Sequence, residues 1–206
     1  MQLTVVEHPV VQARLTTLRR TDTTNAEFRR ALHQLSTLLI YEALDDVHTA
    51  AVEIETPMAP TIGTQVVDSP VVVPILRAGL GMLEAARLLL PDALVGFVGA
   101  RRDEETFEPQ AYLDTVPPLE EGPAIVLDPM LATGGSLIHA CELLRDREAG
   151  PITIVCALAA PEGVEAVDEA IDDVRIVTAA VDERLNEVAF IVPGLGDAGD
   201  RQFGDA

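Results

Sequence analysis

AIVLDPMLATGGS, residues 124–136, is the stretch from which the fold can be read. Four apolar residues, Ala124 to Leu127, have the length of a short buried strand. They run into Asp128, a turn opened by Pro129, and then Thr133-Gly134-Gly135-Ser136. Beyond the glycines, Leu137, Ile138, Cys141, Leu143 and Leu144 recur at helical spacing. A strand, a polar glycine-rich loop and a helix in that order form a cradle for phosphate. The paired glycines let the backbone approach a ligand with no Cβ between. The first amides of a helix lack intrahelical acceptors and favour an anion, and Thr133 and Ser136 add hydroxyl donors. Asp128 has the wrong sign for a phosphate but can accept hydrogen bonds from sugar hydroxyls. The combination suits a sugar phosphate, although TGGS taken alone is equally a turn capping a helix. Two other phosphate loops are excluded. GxxxxGK(S/T) is absent, as is lysine itself, and the spacing is not GxGxxG.

The whole stretch resembles the phosphate loop of the type I phosphoribosyltransferases. DPMLATGGS resembles in particular the uracil phosphoribosyltransferases, where proline replaces the second of two adjacent acidic residues common among relatives. PILRAGLG (74–81), EETFEP (104–109), AAPEG (159–163) and PGLGDAGDRQFG (193–204) resemble that family in the same order, so the resemblance spans the chain. Tyr41-Glu42-Ala43 is similar to it as well. The resemblance implies an α/β fold of the type I phosphoribosyltransferase kind: a central, mainly parallel sheet flanked by helices, with N-terminal helices, a β-arm and a C-terminal hood segment. One domain over 1–206 is expected. It would comprise helices and arm at about 1–67, a core binding phosphoribosyl pyrophosphate (PRPP) at about 68–180, and a uracil-binding segment at about 181–206.

The implied reaction transfers the phosphoribosyl group from PRPP to uracil, giving UMP and pyrophosphate. Carried over residue by residue, the resemblance puts PRPP on Arg77, Arg102, Asp128, Pro129, Met130, Leu131, Ala132, Thr133, Gly134, Gly135, Ser136 and Asp197. Arg77, Arg102 and Asp128 would be the catalytic groups. Uracil would lie on Ile191, Gly196, Asp197 and Ala198. Mg²⁺ is expected to be held mainly through PRPP, with no direct protein ligand assigned. A homodimer or higher homo-oligomer is also implied, as is, in some members, a GTP effector.

Composition narrows the alternatives. A hydrophobic fraction of 48% is ample for a core, and aromatics at 3% make that core aliphatic. No apolar run reaches membrane-spanning length and no cleavable signal opens the sequence, so a cytoplasmic protein is expected, with no membrane partner. Cys141 and Cys156 lie in apolar periodic segments and read as small buried hydrophobes. His8, His33, His48 and His139 are scattered, with none at ligand or triad spacing. A formal charge of −20 opposes nonspecific nucleic-acid binding and weighs against the rival reading of an RNA-binding regulator on the same fold. Since PRPP is itself a polyanion, arginines must make the site locally positive. Acidity without lysine reflects either a high-salt host or the codon usage of a GC-rich genome, and activity measured across molar KCl separates the two.

Outside the loop, the pattern predicts helices over 9–20 and, from the capping box of Thr24 and Glu27, to about Asp45. Phe28, Leu32, Leu35, Leu38 and Leu39 mark the second helix's apolar face, which either covers the core or meets another subunit. Residues 51–67 read as a hairpin or arm bent at Pro57 and Pro60. Val71 to Val73 read as a buried strand whose pairing Pro74 ends. Arg77-Ala78-Gly79 then forms a second loop, with a guanidinium fork suited to phosphate, before a helix over 80–90.

A strand over 94–98 would bring Arg101 and Arg102 to the active edge of the sheet; Arg101 departs from the family pattern and reads as solvated. Residues 106–122, polar and interrupted by proline, read as a mobile cover. Strands over 152–160, 174–178 and 188–192 and a helix over 164–171 complete a sheet covered on both faces. The four glycines of 193–204 are expected to exclude a packed element and expose backbone. Main-chain N–H and C=O groups can match the acceptor–donor–acceptor edge of uracil, and cytosine would leave buried groups unpaired. A purine enzyme would not be expected to carry GLGDAGD. No side chain is needed as nucleophile, and no general base stands out.

Overall fold

The computed structural model describes residues 1–102 and 109–204. In chain order its elements are β1 (Gln2–Val5), α1 (Pro9–Arg19), α2 (Asn25–Ala43), β2 (Thr49–Glu55), β3 (Pro60–Val66), β4 (Val71–Leu76), α3 (Leu80–Leu89), β5 (Val98–Arg102), β6 (Pro109–Asp114), β7 (Ala124–Leu127), β8 (Met130–Leu131), α4 (Gly135–Asp146), β9 (Ile152–Cys156), β10 (Leu158–Ala159), α5 (Pro161–Ala170), β11 (Val174–Thr178), β12 (Arg184–Leu185), β13 (Ile191–Val192) and α6 (Ala198–Phe203).

Seven strands form the central sheet in the order β1-β11-β9-β7-β4-β5-β6. Every pairing in it is parallel except β5 with β6. Side chains on a strand alternate between faces, and here both faces are apolar. Val72, Ile125, Leu127, Val155 and Val177 pack under α1, α2, α3 and α6. Val71, Val73, Val126, Ile154 and Ile176 pack on the other side, with α4 and α5. Near-continuous aliphatic strands therefore belong to a sheet buried twice over. Thr24 and Glu27 form the expected reciprocal cap at the start of α2. β2 and β3 pair only with each other, as an arm with Met58 fully exposed at its bend. Cys141 and Cys156 are free and buried. Among the described residues no helix is long and apolar enough to cross a membrane.

The connections out of β4 and β7 decide where a ligand can bind. These strands are neighbours, yet β4 leads through α3 to one face and edge while β7 leads through α4 to the other. Their loops, 77–79 and 128–134, diverge and leave a crevice at the carboxyl ends of the strands. That is the switch point at which open α/β sheets hold ligands.

Several expectations are corrected. Pro74 does not end β4. It keeps its place opposite Leu127, and the strand continues to Leu76 opposite Gly99. Val72 exchanges both backbone bonds with the β5 side, so Pro74, two residues on, turns its missing N–H to that same side. Pairing is interrupted only there, between the Val72–Val95 bridge and Ile75 opposite Val98. The strand expected over 94–98 accordingly lies later, at β5, with Leu94 exposed and Arg101 and Arg102 inside the strand. Part of the expected cover, 109–114, is the antiparallel edge strand β6, and Val116 and Leu119 beyond it are buried. Arg147 holds this segment through the Asp114 carboxylate and the Val116 carbonyl. Residues 104–108 of the EETFEP motif lie outside the described residues.

The strand expected over 152–160 breaks at Ala157, whose N–H, like that of Leu158, donates to the Pro129 carbonyl. Past that break β10 leaves the main sheet and pairs with β8. α5 starts at Pro161, not at residue 164, because proline suits the first helical position. Within 188–192 only Ile191 and Val192 are strand, paired antiparallel with the unforeseen β12. Asn186 Oδ1 accepts from the N–H groups of Val188 and Phe190 and folds the preceding residues into a turn. The glycine-rich C-terminal segment is partly a packed element after all. Asp197 caps α6 through Asp200 N–H, and Ala198, Gly199 and Gln202 are buried.

Candidate active site

A cleft of about 360 Å³ lies at this switch point. The loop after β7 supplies Asp128, Met130, Ala132, Thr133, Gly134, Gly135 and Ser136 to its wall. The opposite wall is Val188 to Ile191 together with Gly196 to Gly199, and Ala78 adds the loop after β4.

Local chemistry explains the shape of the β7 loop. Asp128 Oδ1 accepts from Met130 N–H at 3.2 Å, turning the chain as it leaves the strand. β8 then fastens the loop to β10, with Ala160 N–H donating to the Leu131 carbonyl at 2.8 Å. Gly134 precedes α4 with φ 84°, a left-handed conformation that favours glycine. The first intrahelical bond runs from Ile138 N–H to the Gly134 carbonyl. The amides of Gly135, Ser136 and Leu137 therefore have no main-chain acceptor among the described residues. They form the positive end of a helix opening on the cleft, a ready site for an anion.

Two carboxylates, Asp128 and Asp197, line the same cleft. Burial pushes the Asp128 carboxyl up to about 7, against the opposing effect of Met130 N–H; the negative charge of Asp197 pushes it further the same way. Asp128 is thus poised for partners that donate hydrogen bonds or carry positive charge. Among the described residues no three His, Cys, Asp or Glu side chains group to hold a metal ion. Two carboxylates on one cleft, Asp128 and Asp197, are a donor set that suits a divalent cation bringing most of its oxygen ligands with it, from a polyphosphate and water.

Of the residues singled out in the sequence, Asp128, Met130, Ala132, Thr133, Gly134, Gly135, Ser136, Ile191, Gly196, Asp197 and Ala198 come together around this cleft. Pro129 and Leu131 do not line it. The Pro129 carbonyl is taken by Ala157 and Leu158, and Leu131 is buried in the core. Arg77 does not line it either; its side chain is half exposed, with Nη2 3.3 Å from Asp200 Oδ1 on α6, next to the cleft-lining Gly199. Arg102 ends β5, and its side chain lies outside the described residues. Sequence reasoning missed Val188, Ala189 and Phe190, which it assigned to a strand. Asn186 was the available signal, since Asn folds turns through its side-chain carbonyl.

Chemically, the cleft offers anion-binding amides beside a carboxylate able to hold hydroxyls. Facing them is a backbone-rich wall with Phe190 and Ile191 for a flat polar ring.

A family model described as uracil phosphoribosyltransferase matches residues 5–205. A uracil phosphoribosyltransferase of Corynebacterium glutamicum (strain R) is 51% identical over 205 residues, covering 99% of this chain and 97% of the relative. Among solved structures, the AQ2163 protein from Aquifex aeolicus is 38% identical with a TM-score of 0.95, over 100% of this chain and 99% of that one. A hypoxanthine-guanine phosphoribosyltransferase from Bacillus anthracis shares the fold alone, at 14% identity and a TM-score of 0.53, over 77% of this chain and 80% of that one.

Proposed function

The chain belongs to the uracil phosphoribosyltransferase family, and from that premise we propose how its cleft carries out the transfer of a phosphoribosyl group from PRPP to uracil, giving UMP and pyrophosphate. The 5-phosphate sits on the amides of Gly135, Ser136 and Leu137 with the hydroxyls of Thr133 and Ser136. Asp128 accepts the ribose hydroxyls in its ionised form. Arg77, in the loop after β4, and Arg102, at the end of β5, draw off the negative charge that develops on the departing pyrophosphate. Ile191, Gly196, Asp197 and Ala198 hold uracil through main-chain groups. N1 attacks C1′ as the bond to pyrophosphate lengthens and the ribose passes through an oxocarbenium-like state. Positioning and electrostatics supply most of the rate, and no side chain acts as a nucleophile.

Mg²⁺ belongs to the same reading. When bound it neutralises charge on the pyrophosphate. Among the described residues, Asp128 and Asp197 are the carboxylates that line the cleft and would meet the ion's hydration shell. A cytoplasmic homo-oligomer, with activity that responds to GTP, completes the proposal. So does the division of the chain into helices and arm at about 1–67, a PRPP core at about 68–180 and a base-binding segment at about 181–206.

One observation carries the reading: the helix-end loop after β7 and the backbone-rich segment 188–199 form the two walls of a single cleft. The test is product formation with uracil, cytosine and hypoxanthine offered in parallel, with and without Mg²⁺ and GTP. UMP formed from uracil alone is the expected outcome. Faster conversion of hypoxanthine or cytosine would overturn the assignment of the base.

A further inference from the structure

The wall assigned to the base is not held by its own packing alone. Gly194 lies between Ile191 and Gly196, both of which line the cleft, and Gly194 itself is buried. Its two backbone groups are claimed by one ion pair. The Gly194 N–H donates to Asp182 Oδ2 at 2.8 Å, and its carbonyl accepts from Arg19 Nη1 at 2.9 Å. Arg19 grips Asp182 with both ends of its fork, Nη1 to Oδ2 at 2.7 Å and Nη2 to Oδ1 at 2.6 Å. The Asp182 side chain is only 6% exposed and that of Arg19 26%.

The geometry joins three parts of the chain. Arg19 is the last residue of α1, and Asp182 precedes β12, which pairs with the cleft-lining β13. The next residue is anchored in the same place, since Arg201 Nη1 donates to the Leu195 carbonyl at 2.8 Å. Arg201 also donates to the Leu18 and Arg20 carbonyls at the end of α1 and lies over the Phe28 ring at 4.5 Å.

We propose that the Arg19–Asp182 pair is a positioning device for the base-binding wall, setting affinity for uracil without touching either substrate. A base read by main-chain groups can be matched only as well as that backbone is placed, because side chains cannot adjust to compensate. A shift of about 1 Å is enough to lose such a match. A largely buried ion pair is a rigid means of placement, and removing one member strands the other's charge. Among the described residues the side chains of the pair bond to Gly194 and to each other and not to the β7 loop, so their direct influence falls on the base subsite. The inference rests on the reading of residues 191–198 as that subsite.

The experiment uses the full chain with Arg19→Gln, Asp182→Asn, the double variant and Arg19→Lys, which keeps the charge but not the fork. KM for uracil, KM for PRPP, kcat and the melting temperature are measured for each. Both single changes are expected to raise KM for uracil about tenfold. KM for PRPP and kcat should stay within about twofold. The double variant should be no worse than the more damaged single one, as expected of a coupled pair, and Arg19→Lys should still show a raised KM for uracil. An unchanged KM for uracil beside a lowered melting temperature would make the pair an ordinary brace and end the proposal. Equal losses in kcat and both KM values, or failure of all the variants to fold, would end it too. Wild-type protein run alongside separates the two ideas. If it does not convert uracil, the assignment of the substrate has failed; if it does and Arg19→Gln matches it, this inference alone has failed.

Discussion

Gly163 lies so close to Ala132 that a Cβ on it would stand 2.2 Å from the Ala132 carbonyl oxygen. The same glycine's carbonyl would lie 3.2 Å from a Cβ placed on Gly134. The first turn of α5 is therefore seated directly behind the loop that lines the cleft, and it fixes how far that loop can recede.

Gly163→Ala tests this seat. Alanine is the better helix former by about 1 kcal/mol, which alone would stabilise α5. The clash is with backbone, which cannot rotate away, and overpacking of this kind costs roughly 1–3 kcal/mol or more. The clash is expected to win, with a lowered melting temperature and a raised KM for PRPP while KM for uracil changes little. A variant more stable than the parent would show that the loop has room to move.

Asp128 makes stability and activity move oppositely with pH. In the unfolded chain its carboxyl loses its proton near the ordinary value of about 3.9, but in the folded protein only at about 7, chiefly because of burial. Between those values the folded state holds the extra proton. This contribution to stability is thus complete at low pH and is lost as pH rises through about 7. Denaturant titrations of the ligand-free protein from pH 4 to pH 8 should show a loss on the order of 4 kcal/mol from this group, and Asp128→Asn should flatten it. By contrast, kcat/KM for PRPP should rise through pH 7 as Asp128 becomes the better acceptor. An identical pH slope in the Asn variant would remove Asp128 as the cause.

Arg77→Ala and Arg102→Ala address the departing pyrophosphate. Loss of a group that meets charge mainly in the transition state should lower kcat by about 10²–10³-fold. Asp128→Asn should lower turnover strongly as well. Single-turnover measurements with saturating uracil check all three, and near-normal rates would refute the assigned roles.

Cys141 and Cys156 should be silent. Burial pushes both thiols up to about 12, leaving almost no thiolate at neutral pH. Incubation of the native protein with iodoacetamide at pH 8 should leave both unmodified and the activity intact, with two equivalents taken up only after denaturation. Rapid labelling of either in the native state would contradict the packing described here.

The loop and its surroundings show how far local sequence reaches. AIVL before Asp128 and the spaced leucines after Gly135 already contain a strand and a helix, because burial on two faces demands aliphatic residues in those patterns. Thr24 and Glu27 mark a helix start by a rule that needs only four residues. Val188 to Phe190 have the apolar character of a strand without being one. Their true conformation depends on the Asn186 side chain accepting two backbone N–H groups. Pro74 reads locally as a stop because proline lacks a donor, and only the neighbouring strand reveals that the donor is missing on one side alone.

What the sequence by itself determined was therefore the set of strands and helices buried by aliphatic periodicity, the phosphate loop, and the family to which they belong. Those rest on interactions among residues a few positions apart. The tertiary structure alone decided that α3 and α4 diverge from neighbouring strands, opening the cleft, and that Gly163 backs its loop. It also decided that Arg19 and Asp182, 163 positions apart, clasp the opposite wall. Contacts of that span follow from how the sheet is ordered in space, and no local pattern of residues encodes them.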